Sequence, residues 1–191
     1  MGRSIILTDG EVALAVPERE DFQLDVINDP FVLSWASSPS FFYTDPDEAF
    51  KETRQNGPEK TFSILYRGEF VGLCGWKWKE APIPQIWFGL YRNRFKGIGT
   101  RAIRLMLLFL FIFENQDAAF AITRERNAAA QRAMKKAGMQ VFGKTRKSFR
   151  TGRKKEGAFW MVAYADRWLR ENEDYVKEVL ERSGYPVELF L

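Results

Sequence analysis

The sequence predicts a mixed α/β fold, in which helices cover both faces of a mostly antiparallel central sheet. Three observations predict it. Helix-like segments open the chain, two strand patterns joined by a tight turn follow between residues 60 and 80, and strands then alternate with helices toward the C-terminus. The chain has 191 residues, 46% of them apolar, which is enough to bury a core without disulfides or metals. Because no repeat or linker interrupts it, we expect residues 1–191 to form one domain.

Local signals place the elements in order. Pro17 suits the first position of a helix, and the acidic residues after it suit the helix's positive end. Asp29-Pro30 is expected to end that helix, a turn at 67–69 to join the hairpin, and Gly138 to end the helix that Asn127 begins. An aromatic loop is expected at 37–43 and a basic loop at 144–157. The expected elements are a strand at 12–16, helices at 17–28 and 44–55, strands at 61–66, 70–79 and 85–91, a helix from about 100 to 114, a strand at 118–123, a helix at 127–136, strands at 139–144 and 158–165, and a helical tail at 166–182.

Two absences in the composition exclude whole classes of chemistry. The chain has no histidine, so neither a Ser-His-Asp nor a Cys-His nucleophile system is possible. Cys74 is the single cysteine, which excludes an internal disulfide and a zinc site of the Cys/His kind, and it is expected to be a small buried strand residue. The longest apolar run, at 105–113, is about half a bilayer span and predicts a buried helix. We therefore expect a cytoplasmic protein.

Charge is distributed unevenly along the chain. Residues 58–164 carry 21 of the 29 basic side chains but seven of the 25 acidic ones, a net charge of +14. The flanking residues 1–57 and 165–191 are acidic. Such a basic middle segment favours an anionic ligand, either nucleic acid or a polyphosphate cofactor, although solvation of the surface alone gives the same pattern.

A glycine-containing turn between a strand and a helix is the most informative segment. Glycines at 97 and 99 allow the backbone to approach a ligand closely, and the following helix presents unpaired N–H groups at its positive end. Arg92, Arg101 and Arg104 add charge nearby. The pattern is shorter than a dinucleotide or Walker A motif, and a turn that merely joins strand to helix is the alternative interpretation. The residues of this candidate phosphate loop are Arg94, Phe95, Lys96, Gly97, Ile98, Gly99 and Thr100.

With a second segment, the phosphate loop resembles the GNAT superfamily of acyl-CoA-dependent N-acetyltransferases. Residues 94–100 are similar to the family's pyrophosphate loop, and residues 127–138 to its second motif, an asparagine-led helix that ends in a Lys-x-Gly step. The resemblance covers about residues 61–168 and is greatest for the branch of ribosomal-protein N-terminal acetyltransferases. It implies the GNAT fold, acetyl-CoA as cofactor, and direct attack of a primary amine in a ternary complex. The matching residues of the second motif are Asn127, Ala130, Lys136 and Gly138.

The resemblance also implies where the cofactor binds. Two neighbouring parallel strands, here 85–91 and 118–123, would splay apart and admit the pantetheine arm. Phe88, Gly89 and Leu90 would bind that arm, and the backbone amide of Leu90 would polarise the thioester carbonyl. Gly89 suits a bulge or a close backbone approach at this place. Asn127 would reach the pantetheine or act as an ordinary N-cap, and the two roles are compatible.

The sequence departs from the family at the proton-transfer positions. Met134 stands where many members have a tyrosine that protonates the leaving thiolate, and residues 85–91 contain no carboxylate to act as base. Glu80 or an ordered water is the candidate base. Proximity and polarisation of the carbonyl would supply most of the reduction in the activation barrier. A non-catalytic acyl-CoA-binding protein is therefore an alternative, and so is a basic RNA- or ribosome-binding adaptor.

A basic segment and several aromatic residues are expected to border the acceptor site. Residues 144–157 hold seven cations against one acid, which suits an acidic peptide, a phosphorylated small molecule or RNA, or simply a solvated hairpin. The acceptor would be a peptide N-terminus or a small amine, with nucleic acid at 144–157 as an open alternative. No membrane partner is expected, and the protein would be a monomer or a homodimer. Trp76 would line the acceptor groove or belong to the core. The candidate acceptor-binding residues are Trp76, Phe42, Lys147 and Arg150.

Overall fold

The computed structural model describes residues 3–35, 43–54, 60–78, 82–151 and 154–190, with backbone alone at 53, 54, 147, 148, 150, 151 and 154. The strands are β1 (Ile5–Thr8), β2 (Val12–Ala15), β3 (Lys60–Tyr66), β4 (Glu69–Lys77), β5 (Gln85–Leu90), β6 (Ala118–Arg124), β7 (Gln140–Thr151) and β8 (Lys154–Tyr164). The α-helices are α1 (Leu24–Ile27), α2 (Pro30–Trp35), α3 (Pro46–Arg54), α4 (Ile98–Leu108), α5 (Ala128–Lys136), α6 (Ala165–Glu171) and α7 (Glu173–Arg182). Shorter turns are a 3₁₀ turn at Arg19–Phe22, a π-helical turn at Phe109–Phe113 and a 3₁₀ turn at Val187–Leu189.

The eight strands form one sheet in the order β1-β2-β3-β4-β5-β6-β8-β7. Every neighbouring pair is antiparallel except β5 and β6, which run parallel. The ladder between β5 and β6 has a single bridge, Gln85 with Phe120. Since β5 continues to Leu90 and β6 to Arg124 beyond that bridge, the two strands diverge toward their C-terminal ends, as the family resemblance implies.

Hydrophobic clusters lie on both faces of the sheet. The larger contains the apolar face of α4, together with Trp168 of α6 and Val179 of α7. The smaller lies beneath α1 and α3 and contains Phe22, Ile27, Ala49 and Leu73. Successive residues of a strand face opposite sides, so Leu73 joins the smaller cluster while Cys74 joins the larger. The predicted mixed sheet with helices on both faces is confirmed.

Most predicted elements are present with shifted ends. The hairpin of β3 and β4, the strand–turn–helix unit of β5 and α4, and the Asn127-led helix α5 lie where the sequence places them. Strand β1 was not among the predicted elements, and the first predicted helix divides into a 3₁₀ turn and α1. The described residues include no helix that is both long and apolar enough to cross a membrane.

The prediction that the first helix ends at Asp29-Pro30 is confirmed, because α1 ends at Ile27 with Asn28 as its C-cap. Pro30 then begins a second helix, α2, which was not among the predicted elements. Proline suits the first turn of a helix, where its missing N–H has no partner to lose. Asp29 Oδ1 accepts the N–H of Val32 at 3.0 Å and so caps the new helix.

The expected basic loop at 144–157 is instead part of a long hairpin. Strands β7 and β8 pair from Gln140 with Val162 to Thr151 with Lys154, and extend past the end of β6. Backbone hydrogen bonds form whatever the side-chain charge, and acidic neighbours offset part of that charge. Lys144 forms an ion pair with Glu125, and Glu156 pairs with Arg124 and Arg126.

Candidate active site

The phosphate loop has a backbone suited to an anion. Asn93, Phe95 and Gly97 adopt left-handed conformations, with φ of 53°, 66° and 80°. Left-handed residues at alternate positions turn successive N–H groups toward one side and form an anion-binding concavity. Gly97 is the N-cap residue of the 11-residue helix α4, whose positive end therefore opens onto the same concavity. A methyl group built on Gly97 would meet no atom within 4 Å, so the space above it is open.

The side chain of Arg94 contacts other residues of the protein rather than pointing into the loop's concavity. Its Nε donates to the carbonyl oxygen of Leu90 at 2.8 Å, and its guanidinium forms an ion pair with Asp29 at 2.5 Å and lies 4.5 Å from the ring centre of Phe31. Burial disfavours the Asp29 carboxylate, but Arg94 and two backbone N–H groups outweigh that effect and lower the pKa of Asp29. Arg94 therefore links the phosphate loop to the start of α2.

The cluster of cations around the loop is smaller than the sequence suggests. Arg101 pairs with Asp9 at 2.7 Å, and Arg104 donates to Asn172 at 2.9 Å, both away from the loop. Lys96 is exposed and donates to Asn93 Oδ1 at 2.9 Å, so it stays within the loop. Two exposed cations of α5 line the cavity beside the loop. Lys136 is a residue of the second motif named in the sequence analysis, whereas Arg132 was not predicted.

The divergence of β5 and β6 opens into a cavity of about 730 Å³. Tyr91 N–H donates to Val71 on β4 at 2.9 Å. Because N–H groups alternate in direction along a strand, those of Leu90 and Phe88 point toward β6, across the opening. The amide predicted to polarise a thioester therefore faces the cavity.

Asn127 caps α5. Its Oδ1 accepts the N–H of Ala130 at 3.1 Å, which fits the N-cap role. Ala129, Ala130 and Ala133 line the cavity beside it, and a methyl group on Gly99 would lie 3.9 Å from the Cβ of Ala133. Small residues on α4 and α5 therefore leave room beside Phe88 and Leu90 of β5, and we call this part of the cavity the slot.

Gly89 lies beneath α2. Its pairing with Leu73 keeps the regular register of β4 and β5, so the suggested bulge is absent. A methyl group on Gly89 would lie 3.3 Å from Cγ1 of Val32 and 4.0 Å from the hydroxyl of Tyr91. The atoms that lie over Gly89 therefore belong to side chains, one from α2 and one from Tyr91 directly after β5. Burial raises the pKa of the Tyr91 phenol and keeps it protonated.

We call the end of the cavity near α1 and α3 the acceptor chamber. It is lined by Phe22, Ile27, Tyr43, Glu52, Leu73, Trp87 and Tyr91. Tyr43 Oη donates to Glu52 Oε2 at 2.8 Å. Burial, together with the charge of Glu52, raises the pKa of Tyr43. Glu52 is the one carboxylate that lines the cavity within the described ranges, and nothing in the local sequence around it indicated this position.

The predicted acceptor residues have mixed outcomes. Trp76 is 2% exposed and packs between Phe62 and Phe109, with ring centres 5.6 Å from each, although it also reaches the cavity wall. Phe42 and Glu80 lie outside the described residues. Lys147 and Arg150 lie on β7, where the structure describes their backbone alone.

Phe149 of the same hairpin lines the cavity, and Arg124 lies 4.8 Å from the centre of its ring. The basic hairpin therefore borders the cavity.

Two further residues constrain the chemistry. Met134 is 4% exposed and has no proton to give, as expected. Cys74 is buried, and burial raises the pKa of its thiol, so it is no nucleophile. Among the described residues, no group of three or more Cys, Asp or Glu side chains is placed to hold a metal ion.

Residues 13–140 match the family model described as "Acetyltransferase (GNAT) domain". The match runs from β2 to the start of β7 and includes both the phosphate loop and the acceptor chamber. No match was found among curated proteins.

Several solved structures share this fold. A spermidine N-acetyltransferase from Vibrio cholerae, in complex with CoA and spermine, is 15% identical with a TM-score of 0.73, covering 84% of this chain and 99% of its own. RimL, a ribosomal alpha-N-protein acetyltransferase in complex with coenzyme A, is 14% identical with a TM-score of 0.73, covering 85% and 99%. Mycobacterium smegmatis RimJ, in complex with CoA-disulfide, is 16% identical with a TM-score of 0.68, covering 88% and 92%. At such identities the likeness shows the fold.

Proposed function

The chain belongs to the GNAT family of acetyltransferases, which use acetyl-CoA, and we propose that its acceptor is the N-terminal amine of a peptide. One of the similar structures, RimL, is by name a ribosomal alpha-N-protein acetyltransferase, which supports a peptide acceptor. The charges of the acceptor chamber carry the proposal.

The described residues fit a coenzyme A ligand. N–H groups of the phosphate loop and the first turn of α4 would hold its diphosphate, and Arg132 and Lys136 would lie near its remaining phosphate. The slot beside Phe88 and Leu90 would take the pantetheine arm. When bound, acetyl-CoA supplies an acetyl thioester, and the Leu90 N–H is placed to hydrogen-bond the carbonyl oxygen as negative charge develops on it.

Transfer would occur directly from thioester to amine. The chain has no histidine, and its one cysteine is buried with a raised thiol pKa, so neither residue can carry the acetyl group. Residues of α1 and α3 would instead hold the amine beside the slot, and proximity would replace covalent catalysis.

The acceptor chamber favours one positive charge rather than several. Its described lining includes the single carboxylate of Glu52, while Lys77 and Arg124 also line the cavity. A polyamine carries several ammonium groups and needs several carboxylates. An N-terminal amine carries one. This charge balance is the observation that favours a peptide over a polyamine.

Mass spectrometry after incubation with acetyl-CoA tests the proposal. A panel of peptide amides with free N-termini and of polyamines would be compared, with release of CoA thiol measured in parallel. We expect acetylated peptides and little acetylated polyamine. Acetylation of spermidine alone would replace the peptide with a small amine, whereas CoA binding without thiol release would support the non-catalytic alternative.

The adaptor alternative has its own measurement. An RNA-binding protein that uses residues 144–157 would bind RNA in a filter assay with a steep salt dependence. We expect no binding above background at low salt, because Phe149 is the single aromatic residue in 144–157 that could stack on a base, and Arg124 already packs on its ring.

A further inference from the structure

The walls of the acceptor chamber suit a cation. Tyr43, Trp87 and Tyr91 line it, and aromatic faces attract an ammonium group. Glu52, at the exposed mouth of the chamber, adds a full negative charge. A primary amine that arrives protonated would therefore meet aromatic walls and a carboxylate together.

The carboxylate is held in place by a short chain of hydrogen bonds. Asn28 pins the backbone of Tyr43 twice, because its Nδ2 donates to the Tyr43 carbonyl at 2.7 Å and its Oδ1 accepts the Tyr43 N–H at 3.0 Å. Tyr43 Oη then donates to Glu52 at 2.8 Å. Ala49, which is fully buried one turn earlier, fixes α3 against the sheet. The position of Glu52 is thus determined by α1 and α3 together.

The charges around Glu52 leave it available to an incoming cation. No ion pair among the described residues includes it, and its one hydrogen bond there comes from a neutral phenol. The described ionisable groups nearby are Glu48 and Lys51 on α3, Tyr43 before that helix, Tyr91 directly after β5, and the Arg19–Asp47 ion pair at the start of α3. Glu48 adds to the negative potential at Tyr43.

We propose that Glu52, oriented by Tyr43, binds the ammonium form of the acceptor amine and accepts its proton; this rests on the proposed function. One proton passes from nitrogen to Glu52 and on to water. The neutral nitrogen then forms the C–N bond while the C–S bond breaks, and a second nitrogen proton leaves with sulfur. Amide, thiol and one released proton balance the ammonium and the thioester. Glu52 thus supplies the base that β5 lacks.

Glu52→Gln tests the proposal, with Glu48→Gln as matched control. Both changes remove one charge from the same face of the chain, one helical turn apart on α3, but Glu48 is not among the residues that line the cavity. With a peptide amide that has a free N-terminal alanine, we expect kcat/KM at about pH 7 to fall about 10- to 100-fold in Glu52→Gln and less than about twofold in Glu48→Gln.

The pH profile separates this role from a structural one. An N-terminal amine loses its proton near pH 8, and the neutral amine needs neither a counter-charge nor a base. The deficit of Glu52→Gln should therefore shrink to about threefold near pH 9.5, while the affinity for CoA stays unchanged. Tyr43→Phe keeps the carboxylate but loses its orientation, and we expect a smaller loss with the same pH trend.

Binding without reaction gives a second readout. Calorimetry of the same peptide with protein saturated with CoA, which carries no acetyl group, should show about tenfold weaker peptide binding in Glu52→Gln than in Glu48→Gln. Equal activity and binding in the two variants, or a deficit that is the same at every pH, would overturn the role of Glu52 while leaving the proposed function intact. A wild-type protein that releases no thiol with any peptide would overturn both.

Discussion

The two halves of the cavity are built in different ways. The cofactor half is made mainly from backbone, through N–H groups of one short segment shaped by left-handed residues at 93, 95 and 97. The acceptor half is made from side chains that lie far apart in the chain, such as Phe22, Glu52 and Trp87. Backbone sites depend on conformation, and side-chain sites depend on residue identity. The first half should therefore be sensitive to changes at glycine, and the second to single polar or charged groups.

The largest effect is expected for Gly97→Glu. A side chain at φ 80° is strained, and a carboxylate would occupy the open space above the loop, against the diphosphate. Like charges in contact cost several kcal/mol, so the affinity for CoA should fall about 1,000-fold in calorimetry. Gly68→Glu is the control, because Gly68 has φ 86°, the same open surroundings and a position in the β3–β4 turn. Both variants should unfold at similar urea concentrations. An equal loss of affinity in both would contradict the assignment of the loop.

A substitution at Gly138, a second glycine with positive φ, should lower the stability of the protein and leave its affinity for CoA unchanged. Gly138 has φ 96°, and a methyl group on it would lie 2.7 Å from Cδ1 of Trp168. The Trp168 ring is held there because its Nε1 donates to the Ala137 carbonyl. Gly138→Ala should lower the free energy of unfolding by about 3 kcal/mol through strain and overpacking.

Gly184→Ala, at φ 78° with nothing near, should cost about 1 kcal/mol. In folded Gly138→Ala protein the affinity for CoA should be unchanged, as urea denaturation and calorimetry would show. Weak CoA binding by that folded variant would mean that this glycine serves the ligand as well as the packing.

The ion pair of Asp29 with Arg94 links the two halves, and breaking it should have an intermediate effect on stability and CoA affinity. Asp29→Asn keeps the cap on α2 but removes the charge paired with Arg94. At neutral pH we expect a loss of about 1 kcal/mol in unfolding free energy and about fivefold weaker CoA binding, because α2 and the loop would no longer be fixed to each other. Glu178→Gln, which breaks an exposed pair with Arg182, should change neither quantity measurably.

The difference in unfolding free energy between wild type and Asp29→Asn should depend on pH. The pKa of Asp29 is lowered in the folded state, so its ionised form contributes stability above its ordinary value of 3.8. That contribution is lost as the pH falls through the folded-state value. The gap between wild type and Asp29→Asn, measured by urea denaturation, should be constant from neutral pH to about pH 5 and close in stronger acid. A gap that widens in acid would contradict the ion pair.

The smallest effect is expected at the hairpin. Reversing the charge of exposed Arg146 and Lys155 should raise KM for a peptide with acidic residues about threefold at low salt and leave a neutral peptide unaffected. The difference should vanish at high salt because exposed charges are screened. Arg170→Glu on α6 is the control. A salt-independent effect, or one shared by the neutral peptide, would show that the hairpin does not select acceptors by charge.

The sequence predicts the cofactor half better than the acceptor half for a physical reason. Gly97, the start of α4 and the Asn127 cap are local features, set by residues close together in the chain. Arg101 and Arg104 were misjudged because helical phase turns them toward Asp9 and Asn172, away from a loop only a few residues distant. Proximity along the chain is not proximity in the fold.

The acceptor half depends on tertiary contacts. Asn28, Tyr43 and Glu52 meet only when α1 and α3 pack on the same face of the sheet, and no local pattern encodes that meeting. Pro30 shows a related limit, since the same dipeptide that ends one helix can begin another. The hairpin at 144–157 shows that charge predicts exposure but leaves the backbone conformation undetermined.

A crystal structure with coenzyme A tests the central claim most directly. We predict that oxygens of the diphosphate lie about 3 Å from backbone nitrogens of Lys96, Gly97 and Gly99, with the pantetheine arm between β5 and β6. A nucleotide bound elsewhere on the protein, with this turn facing solvent, would contradict the account.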